Sequence, residues 1–242
     1  MDLTDRQRDL LKAIVELHVK TGESVGSETI EKQFNLGVSP ATIRNEMVRL
    51  TESGYLKQPH TSAGRIPTAM GFKLYIQELM KEKEMPVSAE VTIKQNLWGI
   101  RHQESHLLKE AVRGLAQRLS MLSLAVNEDE EIYYAGAAHI LDFPEFEDIE
   151  VTRFVLNLFD EYPTLKEIIG KALGTDPMHI LFGEDLGFEH LVPAGFVFCK
   201  YQATGGRDGI IGVIGPARMN YPVVLPYVRF TSKLVEQALN SY

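Results

Sequence analysis

Three amphipathic segments crowd into the stretch before Gly54, and the short joints between them limit what they can build. Thr4 followed by Gln7 is a capping box, and Leu10, Leu11, Ile14, Val15 and His18 then recur at helical spacing, which predicts a first helix from Thr4 to about Lys20. After the turn TGESVG, Ser27 is placed as the cap of a short second helix, SETIEKQF, with Ile30 and Phe34 four residues apart and Asn35-Leu36-Gly37 as its stop. Ser39-Pro40 supplies an N-cap with proline in the first helical position, and Gly54 ends the third helix. Two short helices across a tight glycine turn make a helix-turn-helix.

Past Gly54 the segment YLKQPHTSAGRIPT, with short extended pieces around Pro59 and Gly64, reads as a β-hairpin with a mobile tip, a wing. A fourth amphipathic helix, capped by Thr68, carries Met70, Phe72, Leu74, Tyr75, Ile76, Leu79 and Met80 and ends near KEKEMP. Lys81–Pro86 is the expected linker, and Ser88 to about Leu122 reads as one long helix, weakened only at Gly99 and Gly114. Strands are expected at Met121–Val126, Ile132–Ile140, His179–Phe182, Ala194–Tyr201 and Gly209–Ile214, the last two joined by a hairpin at Thr204–Asp208. Helices are expected at Glu147–Leu158 and Leu165–Leu173, and a final one from about Val223 to Ser241. Pro226, without an amide proton, should delay or kink that last start. The expected organisation is α+β: residues 1–80 a winged helix-turn-helix, 81–120 a linker and long connecting helix, and 121–242 a regulatory domain with a largely antiparallel sheet.

The formal net charge of −8 over 242 residues argues at first against a polyanionic partner, but its distribution reverses the argument. Residues 1–80 are neutral overall, so the whole excess lies beyond them. Within 40–73 the balance is positive, with Arg44, Arg49, Lys57, Arg65 and Lys73 against Glu46 and Glu52. With Ile43 at zero and about 100° per residue, Met47 and Leu50 fall beside it as a core face. The opposite side carries Ala41, Asn45, Val48 and Glu52, edged by Thr42, Arg49 and Arg44. Such a surface suits the major groove of double-stranded DNA: arginine pairs bidentately with guanine, asparagine with adenine, and the methyls of Ala41 and Thr42 can meet thymine. Ser39 at the helix N-terminus would fix a phosphate. Arg65 is placed at the wing tip as a minor-groove arginine, with Lys57, His60, Thr61 and Ser62 along the wing as further DNA contacts.

Other chemistry is poorly supported. His102 and His106 are four apart, but Gln103 stands where the zincin pattern requires glutamate and no third ligand is evident, so no metal is expected. The glycines of TGGRDGIIG match neither a phosphate loop nor a dinucleotide fingerprint, and Glu128–Glu131 read as a solvated turn; no cofactor and no enzymatic activity are expected. The single cysteine, Cys199, sits in the apolar run GFVFC as a buried structural thiol. No apolar run approaches the roughly eighteen residues of a membrane span and the N-terminus lacks a signal-peptide core, so a cytoplasmic location without membrane attachment is expected.

Residues 39–76, SPATIRNEMVRLTESGYLKQPHTSAGRIPTAMGFKLYI, resemble the heat-inducible transcription repressor family HrcA, and the pairing of SPATIRNEM with QPHTSAGRIPT is specific to it. IGVIGPARMNY at 211–221 resembles the end of that family's GAF-like domain, and FPEFEDIEVTRFVLNLFDE at 143–161 its middle. The resemblance implies a GAF-like regulatory domain and a homodimeric repressor on an inverted repeat, the CIRCE operator, upstream of chaperone operons. It also implies a chaperonin partner that keeps the repressor active. Family members carry an inserted dimerisation region between the strand Met121–Val126 and YYAGAAHI; here only NEDEEIY remains, which makes the helix 88–122 the candidate contact between copies. Two other readings stay open: a small-ligand-responsive winged-helix regulator with a GAF-like sensor domain, and an interaction module that no longer binds DNA.

Overall fold

The computed structural model describes residues 3–34, 37–206 and 208–241, which divide into two compact units, Met1–Lys81 and Glu82–Tyr242. In the first, helix α1 (Asp5–Thr21) opens on the expected capping box: the Thr4 hydroxyl accepts from the Gln7 amide and the Gln7 side chain accepts from the Thr4 amide at 3.0 Å. Gly22, in the left-handed region at φ 73°, closes it. Helices α2 (Ser27–Gln33) and α3 (Pro40–Glu52) follow. Strands β1 (Leu56–Lys57) and β2 (Ile66–Pro67) pair antiparallel, and α4 (Ala69–Leu74) runs on into a π-helical turn, Tyr75–Leu79. Leu10, Leu11 and Ile14 of α1 are buried with Ile30, Ile43, Leu50, Leu56 and Phe72, so every element of the unit contributes to its interior.

One cap differs from expectation. Gly26, not Ser27, precedes α2 as its N-cap, and no side chain caps that helix. The cause lies upstream, where Val25 is drawn into an antiparallel bridge with Arg65, so Gly26 leaves in extended backbone and Ser27 is already helical. Of the expected stop, Asn35 and Leu36 lie outside the described residues.

The second unit is built on a five-stranded, wholly antiparallel sheet in the order β4-β3-β7-β6-β5. The strands are β3 (Leu122–Val126), β4 (Ile132–Ala135), β5 (Met178–Phe182), β6 (Ala194–Tyr201) and β7 (Gly209–Pro216). Strand alternation divides the interior in two. Leu122, Leu124, Val126, Phe196, Phe198, Ile210 and Ile214 pack with Val151 and Val155 of α7 (Ile149–Asn157) and Leu165 and Ile168 of α8 (Tyr162–Gly170). Ala125, Tyr201 and Ile211 point the other way, into a cluster with α5 (Val87–Trp98), α6 (Glu104–Leu119) and α10 (Tyr221–Leu239). A short α9 (Gly183–Leu186) follows β5. The fold is α+β and compatible with the GAF-like class. Cys199 is buried on β6, where burial pushes its thiol up to about 11.

Three expectations are corrected. The long helix over Ser88–Leu122 is two helices, α5 and α6, with a reversal at Gly99–Gln103. Folding back lets Ile93 and Leu97 share one cluster with Leu107, Leu108, Ala111 and Leu115, which a straight rod could not do. The strand expected to reach Ile140 ends at Ala135. Gly136, at φ 76°, turns the chain into a 3-10 helix, and a Cβ there would stand 2.7 Å from the Met121 carbonyl oxygen. Pro226 neither delays nor ends the last helix, which starts at Tyr221 and contains it. A proline at 226 deprives the Pro222 carbonyl of its helical donor. The Lys83 amide donates to that carbonyl instead, at 2.8 Å.

Strands β3 and β4 are joined by the five residues Asn127–Glu131. Asn127 fixes this loop by accepting from the Glu131 amide at 2.9 Å and donating to the Glu131 carboxylate at 3.0 Å. Among the described residues no helix is long and apolar enough to cross a membrane, and no group of three or more His, Cys, Asp or Glu could hold a metal. His106 lies on α6 whereas His102 precedes it, so the pair does not share a helix face.

The chain enters the second unit as a strap on α10, where Arg229 donates to both oxygens of Glu82 at 2.6 and 2.8 Å beside the Lys83–Pro222 bond. The hydrogen bond from Arg229 holds the Glu82 carboxyl below its usual range. A lowered folded-state value means the pair contributes fully at neutral pH and is lost only as pH falls below the ordinary carboxylate range. Glu82→Gln is therefore expected to speed hydrogen exchange at the Lys83 amide at neutral pH, with the difference between the two proteins shrinking as falling pH protonates the wild-type carboxyl. Equal exchange in both proteins at pH 7 would show that the ion pair does not hold the strap.

Candidate nucleic-acid interface

Helix α3 begins as its sequence requires. The Ser39 hydroxyl accepts from the Thr42 amide at 3.3 Å, Pro40 occupies the first turn, and Ser39 and Thr42 hydroxyls lie 3.1 Å apart. Ile43, Met47 and Leu50 face inward and Ala41, Arg44, Asn45, Val48 and Arg49 are exposed, as the 100° construction predicts. Arg44 and Asn45 make no hydrogen bond or ion pair among the described residues, so their polar ends are available to a partner.

Glu46 is the residue that the sequence reading missed. It lies on the inward side of α3, 9% exposed, and accepts from Gln7 Nε2 of α1 at 2.9 Å while pairing with Arg49 at 3.2 Å. Gln7 thus serves twice, in the cap of α1 and as the donor that holds a buried carboxylate on α3. A glutamate on an otherwise apolar arc with Ile43 and Met47 was the available signal.

The wing is clamped at its return strand. Val25 and Arg65 exchange both backbone hydrogen bonds at 2.9 Å, which adds a third, one-residue strand to the β1–β2 pair. Gly64 makes this approach possible, because a Cβ there would stand 2.3 Å from the Val25 carbonyl oxygen. Arg65 is consequently not at the wing tip. It is half-buried on the strand, and its Nε donates to Thr51 Oγ1 of α3 at 3.1 Å. The tip is made of exposed His60, Thr61 and Ser62, and Gln58 shapes it by donating to the Thr61 and Ala63 carbonyls at 2.8 and 2.9 Å. Thr68 ends the wing by donating to the Gly54 carbonyl at 2.6 Å and accepting from the Gly71 amide, which caps α4.

Between α3 and the wing lies a cleft of about 430 Å³, bordered by Arg44, Val48, Gln58, Thr61, Ser62 and Arg65. Four residues singled out in the sequence thus meet at one place: Arg44, Thr61, Ser62 and Arg65. Ser39 caps α3, Ala41, Thr42, Asn45 and Arg49 lie elsewhere on that helix, Lys57 is half-buried on β1, and His60 is at the tip.

The chain matches two family models: residues 2–80 the winged helix-turn-helix transcription repressor, HrcA DNA-binding, and residues 72–225 the HrcA protein C-terminal domain. It is 27% identical to the heat-inducible transcription repressor HrcA of Pelotomaculum thermopropionicum, covering 99% of this chain and 97% of that one. It is 28% identical to the protein of the same name from Symbiobacterium thermophilum, covering 92% and 95%. The first alignment runs over 339 positions against 242 residues here, so roughly a hundred positions of that relative find no counterpart. A crystal structure described as that of a hypothetical protein shares the fold, with a TM-score of 0.83 at 19% identity over 99% of each chain.

Gly64→Ala is expected to force Val25 and Arg65 apart, costing about 1–3 kcal/mol in the unfolding free energy and weakening DNA binding. Hydrogen exchange at the Arg65 amide and titration with labelled duplex read the two effects. Unchanged exchange at Arg65 would remove the clamp from the account.

Proposed function

Because this chain belongs to the HrcA family of heat-inducible transcription repressors, we propose that it represses chaperone operons by reading an inverted-repeat, CIRCE-type operator as a homodimer in the cytoplasm. The observation that carries the reading is the solvent face of α3, where Arg44 and Asn45 stand exposed and without a partner among the described residues, beside a wing clamped to the same unit. Arg44 and Asn45 are the base readers, by bidentate pairing with guanine and adenine. Arg49 shares its charge with Glu46 and acts at the edge of the groove. Ala41 and Thr42 offer methyls to thymine, and Ser39 and the first turn of α3 receive a phosphate.

The wing residues divide by position. His60, Thr61 and Ser62, exposed at the tip, and Lys57 on β1 meet the sugar-phosphate backbone. Arg65, held by Thr51, lines the cleft and directs the wing more than it probes the minor groove. The chaperonin enters as the regulator that the family resemblance implies: it sustains repressor activity until heat-unfolded proteins occupy it, and transcription then rises.

Arg44→Ala and Asn45→Ala should each cost about 1–3 kcal/mol of operator binding and relax the preference at one base pair per half-site. Lys57→Ala should weaken binding to all sequences alike and reduce the salt dependence by about one counterion per half-site. Fluorescence anisotropy with operator and scrambled duplexes at several salt concentrations separates these effects. Retention of full sequence preference by the Arg44→Ala/Asn45→Ala double variant would sink the assignment of α3 as the reading helix.

A further inference from the structure

We propose that α5 is a homodimer seam, pairing antiparallel with α5 of a second copy about a two-fold axis. This deepens the proposed function, resting on its premise that two copies read one inverted repeat. Val87, Val91 and Trp98 are exposed at 74%, 47% and 39%, although each is apolar or aromatic. With Lys94 they recur at spacings of four, three and four residues, the pattern of a left-handed helix pair. The residues that α5 buries in its own unit, Ala89, Ile93 and Leu97, form a separate arc, and the exposed row lies outside it, with the Arg101 guanidinium 5.3 Å over the Trp98 ring as a neighbour from its own chain.

The charges beside the row make it self-complementary. Glu90 and Lys94 lie one turn apart, and neither forms an ion pair among the described residues. With the axis between residues 92 and 93, Val87 faces the partner's Trp98, Val91 faces the partner's Lys94, and Glu90 lies next to that same ammonium. A two-fold axis repeats each contact, as an isologous interface requires. A groove of about 320 Å³ between α5 and α10, lined by Val91, Phe230 and Leu234 with Lys94 and Lys233, extends the apolar surface beyond one helix. A three-turn helix alone falls short of the roughly 800 Å² per partner of a standard interface, so the seam requires the α10 side of the groove as well.

The second copy is also favoured by where the chain enters. The strap residues Glu82 and Lys83 are fastened to Arg229 and Pro222 of α10, and Arg229 adjoins Phe230 of the groove. Pairing here joins two copies at the points where their DNA-reading units are attached. The five-residue β3–β4 loop offers no inserted region for that purpose.

The test uses charge reversal in the full chain, read by sedimentation velocity. Glu90→Lys and Lys94→Glu each place like charges across the seam and should weaken self-association at least about tenfold. Mixing the two variants, or combining both reversals in one chain, should restore the dimer. Trp98 is the chain's single tryptophan, so its emission should shift to the blue as wild-type concentration rises and not in either single variant. A wild type that stays monomeric, or single variants that associate as the wild type does, would overturn the seam. Operator binding by those same dimeric variants would place the interface elsewhere and leave the repressor reading standing. A charge-reversible dimer that ignores the inverted repeat would do the opposite.

Discussion

The surface proposed to read DNA depends on one close backbone approach, that of Gly64 to Val25. With only a hydrogen at position 64, the return strand of the wing can exchange both hydrogen bonds with Val25, and the connection between α1 and α2 becomes part of the wing sheet. A two-stranded ribbon of two residues per strand has little stability by itself. The bridge and the Arg65–Thr51 bond tie it instead to helices whose packing is already fixed by Leu10, Ile30, Ile43 and Leu50. The wing is therefore positioned by the folded unit, and the entropy of ordering it is spent before any DNA arrives.

The same economy runs through the motifs that looked functional. In SPATIRNEM, Ser39 caps, Pro40 starts the helix, Ile43 and Met47 fill the core and Glu46 takes the Gln7 hydrogen bond, which leaves Ala41, Thr42, Arg44 and Asn45 to face outward. In QPHTSAGRIPT, Gln58 shapes the tip, Gly64 permits the bridge, Arg65 braces α3 and Thr68 caps α4. Arg218 and Glu145, from the two segments that resemble the second half of the family, form a bidentate ion pair with each other. The specificity of such signatures reflects the demands of the scaffold as much as contact with DNA.

That division explains what the sequence could and could not disclose. The three-helix pattern, the exposed face of α3 and the central strands were legible because each follows from local periodicity and capping. The clamp was not, since Val25 and Arg65 are forty residues apart and each looks ordinary alone. The break between α5 and α6 was hidden because Ile100 and the apolar residues of both helices continue a helical rhythm through Gly99, and only a shared cluster makes reversal preferable. Pro226 misled for a related reason. Local rules count the hydrogen bond that proline removes, whereas the Lys83 amide, distant in sequence, supplies the missing donor.

Charge distribution then decides which part of the molecule can meet DNA. All of the net −8 lies beyond residue 80, so the second unit repels a phosphate backbone, and residues 40–73 supply the local positive field. Within that field the arginines are not equivalent. Arg49 shares its charge with Glu46 at 3.2 Å, and Arg65 is anchored to Thr51, so both have part of their bonding capacity committed within the fold. Arg44 alone among them combines exposure, a place at the cleft and a guanidinium without a partner among the described residues. An uncommitted guanidinium loses no internal bond on binding, so under the proposed reading the full difference between a matched and a mismatched guanine would be expressed there. Discrimination should therefore concentrate at the base pair that Arg44 reaches, with Arg49 and Arg65 contributing more to position than to choice.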